Sequence, residues 1–391
     1  MSRTAALAGG SGIRRVGVAL DSFKGSLPGQ FATTLVADVF REYLGDGAVQ
    51  EFLLADGGEG SLDCAAALLP EMELLTVPAV DPRGNRITAR LGYLGSAGQI
   101  FLEAAECDAL AMVPPEDRNP LRLTSAGVGM LIRQALDLSP RKIYLCLGGT
   151  ATVDGGLGML QSLGARLHTA QGPVTTPATG QTLADLTNTD WSGLDPRLRH
   201  TRITCLADVT SPLTGPEGAA AVFGPQKGAD PAAVAILEQG MQRLADLLPE
   251  KYRDLPGGGA AGGIGYAAAA ALGAEIAGGS GYFLSLQHFR EHLASLDLLI
   301  TGEGRIDCQT SLGKGPGLAA SIARECGVPV VGLCGMWGAD LEPEDSVFTG
   351  IFPIVGRCCG EDEALKPEVA AENLRRTATS VARLFLAVWE N

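Results

Sequence analysis

The sequence predicts an α/β protein built on doubly wound parallel sheets. Five short apolar runs each end in an acidic residue beside glycines or other small residues; these acids are Asp21, Asp56, Asp154, Asp208 and Glu303. Such runs, separated by helical patterns, are typical of buried parallel strands. In these sheets, ligands bind beyond the carboxyl ends of the strands. The repeated pattern therefore predicts a polar crevice lined by carboxylates, suited to a charged small molecule.

Length and composition predict two domains and disfavour several classes of partner. The chain has 391 residues, more than the roughly 250–300 that one hydrophobic core usually serves. A net charge of −14 disfavours binding to nucleic acid or to an anionic membrane surface. Nine irregularly spaced cysteines indicate neither a disulfide framework nor a zinc site. The sequence has no secretory signal pattern and no apolar run long enough to cross a membrane, so we expect a cytoplasmic protein.

The first elements form a βαβ unit. Residues 1–14 are expected to be a disordered extension. Val16–Leu20 is expected to be a buried strand, and the helical spacing of apolar residues predicts a helix over Leu27–Tyr43. The run Phe52–Ala55 supplies the next strand. A second helix, Ser61–Leu69, follows a glycine-rich turn, so its first amides would point at whatever binds there.

A second domain is expected to begin near Asp81. Alternating residues in Arg86–Tyr93 and Gln99–Glu103, joined by glycines, predict a hairpin. Helices and strands then follow in turn: helix Ser125–Leu138, strand Ile143–Leu147, a helix from Leu157, strand Ile203–Leu206, and helices Pro231–Leu248 and Tyr266–Leu272.

After Gly281 the plain alternation of helix and strand resumes. The elements are helix Leu284–Leu293, strand Leu298–Thr301, helix Gly317–Cys326, strands Val328–Leu333 and Ile351–Val355, and helix Val369–Val388. The simplest assembly joins this segment to the N-terminal unit. It gives a discontinuous domain of residues 15–80 and 280–391, with residues 81–279 inserted and the crevice between the two domains.

The loop after Ile143–Leu147 has the residues of a phosphate site. Backbone amides and hydroxyls that would hold phosphate oxygens come from Gly148, Gly149, Thr150, Thr152 and Gly155. Asp154 would hold magnesium. The alternative is a tight turn in which Asp154 only caps the following helix.

Three loops supply basic residues. Lys24 follows Asp21 and Ser22 at a strand end, Lys227 lies on a loop between glycines, and Arg305 lies between Glu303 and Asp307. The lysines would neutralise phosphate or carboxylate, and arginine can hold a carboxylate through two hydrogen bonds. For Lys24 the alternative is a solvated surface lysine. For the segment with Glu303, Arg305 and Asp307 it is a salt-bridged turn.

The remaining motifs, present and absent, limit the reaction classes that the sequence suits. Gly257–Gly262 matches the dinucleotide fingerprint, but no strand precedes it, so it either packs two backbones closely or contacts a nucleotide. P-loop, protein-kinase and serine or cysteine nucleophile signatures are absent from the sequence. Carboxylates, lysines and glycine loops without a nucleophile suit phosphoryl transfer, which requires positioning and charge neutralisation, with magnesium bridging the phosphates.

Seven motifs in order resemble the bacterial glycerate kinase family of the type that forms 2-phosphoglycerate. They are DSFKGS at 21–26, ADGGEG at 55–60, RNPL at 118–121, GGTATVDGG at 148–156, GAAAVFGPQKGA at 218–229, GGGAAGG at 257–263 and TGEGRID at 301–307. The resemblance implies an ATP-dependent kinase acting on D-glycerate. It also implies a flavodoxin-like, Rossmann-type domain built from both chain ends, with a second α/β domain inserted. Leu20, Ser211 and Met130 depart from the usual family pattern.

The resemblance and the motif chemistry together predict residue roles. The catalytic candidates are Lys24, Asp56 and Asp208, with Asp208 or Asp56 orienting the attacking hydroxyl. The candidates for binding D-glycerate are Asp21, Ser22, Lys227, Arg305 and Asp307. Magnesium would be held by one or more of Asp154, Asp208 and Glu303. The alternatives are a sugar-acid sensor without turnover and a nicotinamide-dependent dehydrogenase; the oligomeric state is not predicted.

Overall fold

A computed structural model describes residues 14–311, 315–342, 344, 346–357 and 359–389. Apart from Arg14, the predicted N-terminal extension lies outside these residues. The chain forms two compact units, one of Met1–Leu54 with Phe283–Asn391 and the other of Ala55–Tyr282. The sequence placed the boundary at residue 80 instead of 54. The difference arises because Glu73–Val80 is a strand that pairs along its whole length with Arg86–Leu94 of the second unit.

The described strands are short, as expected for an α/β chain. In chain order they are β1 (Val16–Leu20), β2 (Val49–Glu51), β3 (Glu73–Val80), β4 (Arg86–Leu94), β5 (Gln99–Glu103), β6 (Lys142–Cys146), β7 (Arg166–Thr169), β8 (Gly172–Pro173), β9 (Leu186–Asp190), β10 (Arg202–Leu206), β11 (Glu275–Ala277), β12 (Leu298–Ile306), β13 (Val330–Trp337) and β14 (Gly350–Pro353).

The helices begin and end at local signals in the sequence. Asp230 caps one helix by accepting a hydrogen bond from Ala233 N, and Gly273 ends another in the left-handed conformation. The described helices are α1 (Gly29–Leu44), α2 (Ser61–Leu68), α3 (Ala105–Asp108), α4 (Ala126–Asp137), α5 (Leu157–Ser162), α6 (Gly180–Ala184), α7 (Ala219–Phe223), α8 (Pro231–Leu247), α9 (Ala260–Leu272), α10 (Gly279–Leu286), α11 (Phe289–Leu293), α12 (Cys308–Ser311), α13 (Gly315–Glu325), α14 (Glu361–Ala364) and α15 (Pro367–Trp389).

The first unit contains a parallel five-stranded sheet with the order β2-β1-β12-β13-β14. Counted within this unit, the order is 2-1-3-4-5, which is the flavodoxin order. Val18 and Leu20 share a core with α1 and α15, whereas Ala19 and Leu299 share a second core with α11 and α13. Helices therefore cover both faces, and the predicted doubly wound α/β fold is confirmed. The strand order reverses between β1 and β12.

The second unit contains a six-stranded mixed sheet with the order β11-β10-β6-β5-β4-β3. β5, β6, β10 and β11 are parallel, and the predicted hairpin is present as β4 and β5. Leu131 of α4 and Ile264 of α9 share one core with Ile143 of β6. A small antiparallel sheet, β8-β7-β9, completes the unit. The carboxyl ends of four parallel strands therefore meet at one edge.

Some elements differ from the sequence prediction. β3 was not predicted, and β2 precedes the run Phe52–Ala55 that was expected to be a strand. The helix predicted over Leu284–Leu293 is broken at His288, which adopts a left-handed conformation with φ 52° between α10 and α11. β12 extends to Ile306 and so includes most of the motif that was expected to be a loop.

Candidate active site

The loop that follows Ala55 crosses the carboxyl ends of β6 and β10. The Gly148 amide donates to Gly57 O at 2.8 Å. Gly57 has φ +84°, and a Cβ there would lie 2.4 Å from Leu206 O. A Cβ on Gly148 would lie 2.4 Å from the Cα of Gly58. Glycines are therefore required where these two loops meet, and they bring Asp56 to the ends of the strands.

Asp208 follows β10 and is bound by the first residues of α10. Both of its carboxylate oxygens lie 3.2 Å from Ser280 N, and the buried Ser280 hydroxyl also donates to Oδ2. Burial raises the pKa of Asp208 to about 6; the Ser280 bonds oppose this rise, and the charge of Asp56 adds to it. The structure thus brings Asp56 and Asp208 together as a half-buried pair. Sequence analysis missed Ser280, although it lies in the Gly278–Gly281 segment.

Glu103, at the end of β5, was also missed. Its side chain is buried and accepts hydrogen bonds from Gly60 N at 3.1 Å and Leu62 N at 2.9 Å. Burial raises the pKa of Glu103 to about 7, although these two bonds lower it. Glu103 therefore fixes the start of α2 beneath the loop that carries Asp56. An acid at the end of a predicted strand was the available signal.

Asp154 is engaged entirely inside the second unit. Its carboxylate accepts from Ser125 N at 2.8 Å, Ser125 Oγ at 2.7 Å, Gly156 N at 2.9 Å and Gly158 N at 3.1 Å. Four donors fill the acceptor positions that a metal ion would need. Burial raises the pKa of Asp154, and the bonds from Ser125 lower it. This geometry favours the structural alternative, in which Asp154 caps α5, over the expected magnesium ligand.

The two threonines of the same loop also point inward. Thr152 is fully buried, and its hydroxyl donates to Asp108 Oδ2 at 2.6 Å. Thr150 Oγ1 accepts from the ammonium of Lys227 at 3.1 Å, and that ammonium also donates to Thr152 O at 2.9 Å. Neither hydroxyl is placed as the expected phosphate donor, and Lys227 does not lie on an exposed loop. Asp108 could not be recognised from the sequence, because its partners are distant in the chain.

The glycine-rich segment before α9 packs against this loop. Gly155 N donates to Gly262 O at 3.0 Å, so this amide is also used inside the unit. Gly262 has φ +63°, and a Cβ there would lie 2.0 Å from Thr152 O. Close backbone packing, one of the two interpretations of the dinucleotide-like motif, is therefore observed. In the loop that follows β6, Gly149 is exposed and Gly148 is half-buried.

In the first unit, the predicted residues lie where the strand order reverses. Asp21 N donates to Gly302 O at 2.8 Å, and Ser22 N donates to Asp21 Oδ1 at 2.6 Å. The chain then turns tightly, with Phe23 N donating to Leu27 O at 2.9 Å, and this turn exposes Lys24. Ligands of open α/β sheets bind at this point of the topology.

β12 places three more charged residues at this edge of the first sheet. Glu303 Oε1 accepts from Thr310 Oγ1 at 2.8 Å. Arg305 Nε lies 3.1 Å from Asp307 Oδ2, which matches the salt-bridged alternative, yet the Arg305 side chain is 57% exposed. Its guanidinium therefore remains accessible to an anion.

The described residues lack two kinds of feature. They contain no group of three or more histidine, cysteine, aspartate or glutamate side chains arranged to hold a metal ion. None of the helices in the described ranges has both the length and the apolar character needed to cross a lipid bilayer.

Comparison with known proteins identifies the family. The model of the glycerate kinase family matches residues 16–386. The chain is 37% identical to glycerate kinase of Bacillus subtilis (strain 168), covering 93% of this chain and 96% of that protein. It is 36% identical to glycerate 2-kinase of Escherichia coli (strain K12), covering 94% and 97%. A crystal structure of a protein assigned as glycerate kinase 2 from Salmonella typhimurium LT2 superposes with a TM-score of 0.79 at 40% identity, covering 97% of this chain and 100% of that one. The chain belongs to the glycerate kinase family.

Proposed function

We propose that this protein is an ATP-dependent kinase that phosphorylates D-glycerate at the 2-hydroxyl, giving 2-phosphoglycerate and ADP. Membership of the family across residues 16–386 is the observation that carries the proposal. The Escherichia coli relative, 36% identical, is named a glycerate 2-kinase, which favours the 2-hydroxyl. Phosphoryl transfer also suits the types of residue at these strand ends, which are carboxylates, basic residues and glycines.

The pair of Asp56 and Asp208 suits a magnesium ion that accompanies the nucleotide. Two half-buried carboxylates whose charges disfavour each other offer the oxygen ligands that Mg²⁺ prefers. Mg²⁺ typically uses one or two carboxylates together with substrate phosphates, so a cage of three protein ligands is not required. We assign Asp56 as the ligand and keep Glu303 of the first unit as a second candidate. A magnesium ion bound at Asp56 would neutralise the charge of the nucleotide phosphates.

Asp208 is proposed to orient the attacking hydroxyl of glycerate. Ser280 holds both of its oxygens, so the carboxylate has a fixed direction. A pKa of about 6 lets Asp208 accept a proton near neutral pH. Gly149, at the exposed tip of its loop, is the candidate in that loop for contacting a nucleotide phosphate.

The substrate carboxylate is assigned to the first unit. Arg305 keeps an accessible guanidinium that can hold a carboxylate through two parallel hydrogen bonds. Lys24 is exposed at the tip of its turn and supplies a second positive charge. Asp21, Ser22 and Asp307 line the same edge and are proposed to position the glycerate hydroxyls.

Phosphorus NMR of the product formed from D-glycerate and MgATP tests the proposal. A resonance of 2-phosphoglycerate with stoichiometric ADP is expected, and the Asp208→Asn variant serves as the matched control. A product phosphorylated at the 3-hydroxyl would correct the regiochemistry. Binding of D-glycerate without ADP release would favour the sensor, and a change in nicotinamide absorbance would favour the dehydrogenase; either result would overturn the kinase assignment.

A further inference from the structure

Lys227 lies in the interior of the second unit. The residue is 4% exposed. Two protons of its ammonium are donated within the unit, to Thr150 Oγ1 and to the carbonyl of Thr152. A lysine that binds an anionic substrate needs an accessible ammonium. The structure therefore gives this lysine a different task from the one that its loop motif predicted.

Two buried acids, Asp108 and Asp154, lie close enough for their charges to favour the ammonium of Lys227, against the effect of burial. Asp108 is 1% exposed and Asp154 is 0% exposed. Among the described side chains, Asp108 Oδ1 is buried with no hydrogen-bond partner, while Oδ2 accepts from Thr152. A buried ion is tolerated only when opposite charges and hydrogen bonds offset its loss of hydration. Lys227 and Asp108 thus depend on each other for their burial, whereas Asp154 also has four hydrogen-bond donors of its own.

The backbone gives Lys227 little freedom to move. Gly228, the next residue, has φ +92°, and a Cβ there would lie 2.2 Å from Arg118 O. Lys227 N donates to Gly224 O at 3.0 Å. The ammonium therefore reaches the Thr150–Thr152 segment from a fixed turn.

The same segment is held on its other side by the stretch around Asp108. Ala151 N donates to Asp108 O at 2.7 Å, and Gly149 O accepts from Leu110 N at 2.9 Å. Only the tip at Gly149 is exposed. The loop is thus clamped immediately beside the glycine assigned to the nucleotide.

We infer that Lys227 is a positioning residue that clamps the Thr150–Thr152 segment, fixing Gly149 for the nucleotide phosphates, and that Asp108 is its counter-charge. Lys227 contacts neither glycerate nor nucleotide. The inference rests on the proposed kinase function for its catalytic consequence, but the clamp itself is a property of the free protein.

The test compares the full-length wild type with Lys227→Met and with Lys227→Met/Asp108→Asn. Lys251→Met, which removes an exposed lysine of the same unit, is the matched control. Hydrogen–deuterium exchange of residues 148–152 and the thermal midpoint are measured without ligands. Steady-state KM values are measured for MgATP and for D-glycerate.

Lys227→Met is expected to lower the thermal midpoint by several degrees, because two acids remain buried without a cation. Exchange in residues 148–152 should rise about tenfold or more. The KM for MgATP should rise more than the KM for D-glycerate. The double variant should regain much of the midpoint while the loop still exchanges fast, since its bonds to the ammonium are not restored.

Unchanged exchange in Lys227→Met, or in the double variant if the single variant does not fold, would overturn the clamp. A rise confined to the KM for D-glycerate would instead show direct substrate binding by Lys227. If the double variant is no more stable than the single variant, Asp108 is not the counter-charge of Lys227. If the wild type does not phosphorylate glycerate, the proposed function is wrong. Hydrogen–deuterium exchange and the thermal midpoint, both measured without ligands, still test whether Lys227 clamps the loop.

Discussion

Replacing Glu103 with glutamine should change how the stability of the protein depends on pH. The buried Glu103 carboxyl has a pKa of about 7 in the folded protein, against an ordinary value of 4.5. Burial is the main cause, and the nearby charges of Glu106 and Asp63 add to it. Between these pH values the unfolded chain releases the proton while the folded protein keeps it. The contribution of Glu103 to stability therefore falls as pH rises through this range.

The size of the effect follows from the two pKa values. The difference between 4.5 and about 7 corresponds to at most about 3 kcal/mol. Glutamine does not titrate, so the free energy of unfolding of the wild type minus that of Glu103→Gln should fall by up to this amount between about pH 4.5 and about pH 7.5. At the acid end the wild type should be the more stable, because a protonated carboxyl has no charge to bury and both of its oxygens can still accept the bonds from Gly60 N and Leu62 N. The amide nitrogen of glutamine cannot accept a hydrogen bond, so the variant loses one of them.

Urea unfolding of both proteins at several pH values provides the measurement. Glu73→Gln, at an exposed position on β3, controls for the loss of a carboxyl group. A constant difference for Glu103→Gln would show that this carboxyl titrates alike in the folded and unfolded states. A difference that grows with pH would show that the bonds to Gly60 and Leu62 outweigh burial; either result refutes the reasoning.

Three further substitutions test the loops and the assigned roles. Gly148→Ala should destabilise the protein by about 2 kcal/mol or more in urea unfolding, because its Cβ would meet the Gly58 backbone, whereas Gly47→Ala, in open space, should have little effect. Asp208→Asn should lower kcat by about 10²–10⁴-fold with the fold retained by circular dichroism; near-normal turnover would exclude it as the orienting group. Arg305→Lys should raise the KM for D-glycerate by about tenfold or more while the KM for MgATP stays constant, because lysine cannot form the paired bonds; equal rises in both would argue against carboxylate binding.

The sequence predicted the α/β class because buried parallel strands leave apolar runs that end at glycines and acids. β3 gave no such signal, since most of its residues are exposed or half-buried at the edge of the sheet and it contains Pro78. The left-handed residue that divides α10 from α11 is His288, and a helical pattern of apolar residues does not reveal one unusual backbone conformation.

The candidate site was predicted less well than the fold. The motifs located the loops, because glycines and acids at strand ends are visible in the chain. They did not show which side chains face inward. Lys227 and Asp154 look like ligands in the sequence, and their burial depends on Asp108 and Ser125, which are far away along the chain. Inward or outward orientation is decided by such long-range partners.

The register of the first sheet has a consequence for synthesis of the protein. Val16 of β1 pairs with Leu298 of β12, so the central ladder of that sheet forms only after most of the chain has left the ribosome. Ala55–Tyr282, in contrast, is one continuous stretch with its own core and can fold as it emerges. During that interval the edge of β1 that later pairs with β12 is unpaired. An unpaired, apolar strand edge is the kind of surface on which chaperones act and nascent chains aggregate. Substitutions that slow folding of the Ala55–Tyr282 stretch should therefore lower the yield of the whole enzyme.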